Sequence, residues 1–123
     1  MPDDMTLEIP ADAAFAVTAR LFVAAAARGL GIADGTIEDL RLAASELVAN
    51  AVETGQPGPI RLTVGLEGDG IRLEARGAGP LANEPPISRR DLLGSLFDEI
   101  DVVPQDLIRL RAPATRRATG SEG

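Results

Sequence analysis

The sequence predicts an α+β fold, a two-layer α/β sandwich with a mixed, mostly antiparallel sheet and helices on one of its faces. Three observations carry that prediction. Two helix-forming stretches follow one another near the N-terminus, runs of alternating apolar and polar residues come in pairs, and the order reads β-α-α-β-β-loop-α-β-β. With 123 residues and no Cys, one domain over residues 1–112 buries its core without disulfides, and residues 113–123, which have no core pattern, form a disordered tail.

Met5 to Ile9 alternates and is stopped by Pro10, which gives a short strand. Ala11 to Arg28 is rich in strong helix formers, with Phe15, Ala19, Phe22 and Ala26 on one stripe and Gly29 and Gly31 ending the helix. A second helix runs over about Ile37 to Glu53, with Thr36 as N-cap and Asp39 as its partner in a capping box. Its stripe is Ile37, Leu40, Ala44, Leu47 and Ala51.

Gly55 to Pro59 breaks the chain. Ile60–Leu66 and Ile71–Arg76 then alternate on either side of Gly68-Asp69-Gly70, a hairpin signal. Gly77 to Pro86 is an aperiodic Gly/Pro-rich loop. A third helix is expected over Ser88 to Ile100, with Ser88 as N-cap and Leu92, Leu93, Leu96 and Phe97 inward. Asp101–Val103 and Leu107–Arg111 close the fold as strands around Pro104-Gln105-Asp106.

Composition removes several function classes. There is no His and no Cys, so thiol chemistry, a Ser-His-Asp triad and nearly all zinc sites are excluded. A net charge of −7 opposes direct nucleic-acid binding, and three Phe with no Trp or Tyr leave little for base stacking. No apolar run is long enough for a membrane span. The acidic start Met1-Pro2-Asp3-Asp4 differs from the basic head of a signal peptide, so a cytoplasmic location is expected.

The chemistry concentrates at Glu46 and Asn50. Four residues apart on the second helix, they leave it on one side, each one position before a core residue, with small Ala43 beside them. A carboxylate above a carboxamide can orient a hydroxyl and offer oxygen to a hard divalent cation such as Mg2+. It can equally be a solvated pair on a helix surface.

The flanks narrow the choice. The run Leu42-Ala43-Ala44-Ser45-Glu46-Leu47-Val48-Ala49-Asn50-Ala51 resembles the N-box of the histidine-kinase-like ATPase superfamily, in its branch of bacterial anti-sigma factors and serine-protein kinases. Leu96 to Val102 and Ile108 to Arg111 resemble that branch's closing helix and strands, and the likeness covers roughly residues 5 to 112. The resemblance implies ATP and Mg2+ as cofactors. It implies that Glu46 is catalytic and polarises the nucleophile, that Asn50 binds the metal, and that Gly77 and Gly79 lie in the nucleotide-binding loop. It further implies partner switching with a sigma factor and an anti-sigma-factor antagonist, and a homodimer.

The sequence also departs from that pattern. Aligned on Gly79, the run Gly77-Ala78-Gly79-Pro80-Leu81 has Gly77 where the family's adenine-reading Asp belongs. Losing one such charge-assisted hydrogen bond costs roughly 1.5–3 kcal/mol, about ten- to a hundred-fold in affinity. Ile87-Ser88-Arg89 replaces the lid's Gly-x-Gly, the Pro104–Leu107 stretch replaces a Gly-Thr, and Glu53-Thr54 replaces a basic residue after the N-box. Arg89 and Arg90 read as surface charge at a helix start, with phosphate pairing as the other reading. Two functions stay open: an ATP-dependent serine kinase of the anti-sigma type, and a nucleotide-free module that only holds a partner protein. A scaffold domain with a relic N-box is a third, blander possibility.

Overall fold

The structure, a computed structural model, describes residues 4–81, 88–103 and 106–113. Past Pro113 the expected tail lies outside the described residues, as do residues 82–87 of the Gly/Pro-rich loop and the Pro104-Gln105 pair.

Among the described residues, five strands form one sheet: β1 (Met5–Ile9), β2 (Ile60–Glu67), β3 (Gly70–Arg76), β4 (Glu99–Val103) and β5 (Leu107–Pro113). Their spatial order is β1-β2-β3-β5-β4, and every neighbouring pair is antiparallel. Helices α1 (Ala16–Gly29), α2 (Asp34–Glu53) and α3 (Arg89–Leu96) complete the domain. The strand alternation in the sequence decides which side of the sheet is dry. Leu62, Val64, Leu73, Ala75, Ile108 and Leu110 face the helices and are buried, and cross-strand partners such as Val64 and Leu73 or Leu73 and Leu110 stack along that side. The inner faces of α1 and α2 close the core with Ala19, Val23, Ile37, Leu40, Ala44 and Leu47. Burying each Leu or Ile contributes about 1.5–3 kcal/mol.

The alternate positions on the strands carry charge. Glu8 pairs with Arg61, Glu74 with Arg109, and Glu67 with Arg111. Arg72 lies in the middle of this face, 13% exposed, in contact with Asp4, Glu67 and Glu74. Burial works against its charge, but the hydrogen bond it donates to Glu67 and the nearby Asp4 and Glu74 carboxylates raise its pKa above the ordinary value. Gly65, opposite Arg72, leaves room for this: a Cβ there would collide with the Asp4 carboxylate.

Both long helices end in the same way. At Gly31 and Gly55 the backbone turns left-handed, with φ of 79° and 68°. The amides that follow bond back into the last turn, Ile32 to Ala27 and Gln56 to Ala51, each at 3.0 Å. Three element ends differ from the sequence expectation. The first helix begins as a 3-10 turn over Ala13–Phe15, capped by Asp12, and becomes α-helical at Ala16. The second begins at Asp34 behind Ala33, so Thr36 is not its N-cap. The Asp34 carboxylate sits in the first turn, where the helix dipole favours it. The third stops at Leu96 because Glu99–Val103 pairs with β5, placing Ile100 opposite Leu110 and Val102 opposite Ile108. Strand pairing there overrides helix propensity. Of its four expected inward residues, Leu93 and Phe97 are buried, while Leu92 and Leu96 are half-buried.

Candidate functional site

Glu46, Asn50 and Glu53 lie along one side of the C-terminal half of α2. Asn50 is 2% exposed, and the structure commits both ends of its carboxamide. Its Nδ2 donates to the carbonyls of Ala78, Gly79 and Pro80 at 2.8, 3.3 and 3.1 Å. Its Oδ1 accepts from Arg89 Nη1 at 3.1 Å. Reversing the amide would set its oxygen against three carbonyls and its NH2 against a guanidinium, so the orientation is fixed by chemistry.

Arg89, the first residue of α3, completes the cluster. Ser88 caps that helix by accepting from the Asp91 amide at 2.9 Å. Arg89 Nε donates to Glu46 Oε1 at 2.7 Å, and Nη1 and Nη2 donate to the two Glu53 oxygens at 2.9 and 3.2 Å. The guanidinium thus serves three side chains of α2. Its side chain is 18% exposed, against 26% for Glu46 and 62% for Glu53. The Glu53 hydrogen bond raises the Arg89 pKa against the effect of burial, and Glu46 adds to it. Reciprocally, the hydrogen bond and charge of Arg89 hold the Glu53 carboxyl below its ordinary value.

Arg89 is therefore a constituent of the site and not surface charge; Arg90, its neighbour, is exposed. Reading the sequence missed both Arg89 and Glu53. The available signal was spacing: Glu46, Asn50 and Glu53 form a polar stripe at 4-3 intervals, and two carboxylates on one stripe call for a cation.

Gly77 and Gly79 are in the loop leaving β3, where the Gly79 carbonyl accepts from Asn50 and the Gly77 amide donates to the Asp106 carbonyl. Their φ angles are 88° and 85°, and an added Cβ would strike the Pro59 carbonyl at Gly77 or the Thr54 hydroxyl at Gly79. The left-handed backbone favours glycine at both, and at Gly77 the Pro59 backbone leaves no room for a side chain. Beyond them a cleft of about 500 Å3 is lined by Gln56, Gly79, Pro80, Val102, Val103 and Leu107, among others. Asp106, at a positive φ of 93°, stands at its edge and accepts from the Gly77 amide at 3.3 Å. Another cleft, of about 580 Å3 between Glu8–Asp12 and Gln56–Pro59, includes none of Glu46, Asn50 or Arg89.

The cluster does not fit a Mg2+-triphosphate. A hard divalent ion needs free oxygens at about 2.1 Å. Glu46 Oε1 and Asn50 Oδ1 instead both accept from one guanidinium. Two unit charges about 4 Å apart at an effective dielectric near 20 repel by about 4 kcal/mol, and a dication doubles that. Among the described residues no group of three or more carboxylates is placed to hold a metal, and no helix is long and apolar enough to cross a membrane.

No curated protein matches the sequence. A family model for the histidine kinase-like ATPase domain matches residues 9–111, a span that includes α1, α2 and α3, strands β2 to β4 and most of β5, but only Ile9 of β1. By that match, which covers well over half of its length, the chain belongs to the histidine kinase-like ATPase domain family.

Proposed function

We propose that this chain is an anti-sigma-type regulatory protein that holds its partner through the ATPase fold without transferring a phosphoryl group. One observation carries the reading: Arg89 donates to Glu46 Oε1 and to Asn50 Oδ1, placing a cation of the chain itself where a nucleotide-bound metal would have to sit. The carboxylate that would read adenine is also missing, with Gly77 in its place and pressed against the Pro59 carbonyl. The partner on this reading is a sigma factor or an anti-sigma-factor antagonist, met in the cytoplasm, and the working unit is a homodimer.

Millimolar Mg-ATP should leave the melting temperature unchanged, because a ligand raises it only by binding the native state. A sigma-type or antagonist-type partner should bind equally well with and without nucleotide. A saturable Mg-ATP shift, with transfer to a partner serine that Glu46→Ala abolishes, would falsify the proposal and establish the serine-kinase reading. That second reading is favoured by family membership and by Glu46 and Asn50 themselves.

A further inference from the structure

We infer that the Glu46–Asn50–Glu53 side of α2 is an arginine socket, filled by Arg89 of the same chain and able to exchange it for an arginine presented by a partner protein. This rests on the reading that the site is not used by Mg-ATP.

The receptor is built for a guanidinium and not for a point charge. Glu46 takes Nε, Asn50 takes one hydrogen of Nη1, and Glu53 takes Nη1 and Nη2 end-on. Four of the five N–H groups of a planar fork are thereby satisfied by one helix, an arrangement a lysine ammonium cannot reproduce. The buried part of the receptor is fixed independently of its occupant. Asn50 is held by the carbonyls of Ala78, Gly79 and Pro80, so its Oδ1 points into the socket whether or not Arg89 is present.

Two features make the occupant exchangeable. Arg89 is the first residue of α3, where the helix dipole disfavours a cation, so its own helix does not hold it there. The Glu53 side of the contact opens to solvent. Beside that opening α2 shows half-buried Ala49 and exposed Val52, an apolar rim for a neighbouring side chain. The net charge of −7 favours approach by a basic surface.

The first test uses full-length Arg89→Ala, titrated with methylguanidinium or methylammonium at constant ionic strength. The melting temperature is read together with the Asn50 side-chain amide resonances. Methylguanidinium should raise the melting temperature saturably and move those resonances, and methylammonium should bind about tenfold more weakly. Equal responses to both cations, or unmoved Asn50 resonances in folded protein, overturn the socket. If Arg89→Ala does not fold, Arg89→Met retains the packing stem and takes its place, with the same outcomes. The second test titrates wild-type protein with hexa-arginine and hexa-lysine. Selective movement of the Asn50 resonances by hexa-arginine supports exchange. No movement, or equal movement with both peptides, overturns it. Neither test contains nucleotide, so its failure is distinct from the discovery of ATP binding.

Discussion

Asn50 and Ala78 are joined by a buried hydrogen bond: the carboxamide donates to the Ala78 carbonyl at 2.8 Å and fastens α2 to the loop leaving β3. The same nitrogen reaches the next two carbonyls, so one side chain gathers a turn of backbone that has no strand or helix to satisfy it. Asn50 is a structural donor before it is anything else.

Asn50→Ala should therefore destabilise the protein by about 2–4 kcal/mol, since buried carbonyls lose their donor. Asn50→Asp should rescue little, because a carboxylate cannot donate to them. Urea denaturation checks both. A stable Asn50→Asp would show that the amide oxygen matters and the amide nitrogen does not.

The Arg89–Glu53 contact sets a pH dependence. The Glu53 carboxyl is held below its ordinary value of 4.5, so its contribution to stability is fully present above that value and is lost as the pH falls below it. Unfolding midpoints measured between about pH 6 and pH 3 should fall more steeply for the wild type than for Glu53→Gln. Parallel curves would remove Glu53 from the account.

The glycines of the β3 loop should rank by what surrounds them. Gly77→Ala meets the Pro59 backbone carbonyl, which cannot move aside, whereas Gly79→Ala meets the side chains of Thr54 and Gln56, which can. Both also suffer the left-handed penalty of about 1–2 kcal/mol. Gly77→Ala should be the worse, losing more than about 2 kcal/mol. Gly94→Ala, in α3 with nothing near its added Cβ, should gain about 0.5–1 kcal/mol. Thermal denaturation of the three variants gives the order.

On the charged side of the sheet, Arg72 and Arg61 should behave differently. Arg72 is largely enclosed among Asp4, Glu67 and Glu74, while Arg61 and Glu8 are both exposed. Arg61→Ala should change stability by no more than about 0.5 kcal/mol, with the difference fading in salt. Arg72→Ala should cost more than the ~1 kcal/mol limit of an isolated surface pair, because it removes a largely enclosed cation that three carboxylates share. Chemical denaturation at low and high salt separates the two.

Much of this fold was legible in the sequence because each signal was local. The stripe from Ile37 to Ala51 gave α2, the Gly68-Asp69-Gly70 turn gave the β2–β3 hairpin, and Gly31 and Gly55 gave the helix ends. The end of α3 was not legible because Glu99 to Val103 becomes a strand only by pairing with β5. The site divided along the same line. Glu46 and Asn50 share a helix and a spacing, so their proximity could be read directly. Arg89 lies 43 positions from Glu46, and only the packing of α3 beside α2 brings its guanidinium there.

The cation of this site is encoded in the chain. A bound metal or nucleotide rises and falls with the cell's supply, but an arginine side chain is present in every copy at the moment of folding. On the reading proposed above, the readiness of this protein is uncoupled from the energy charge of the cell. The level of its activity is then a matter of how many copies are made and how many rival partners they meet.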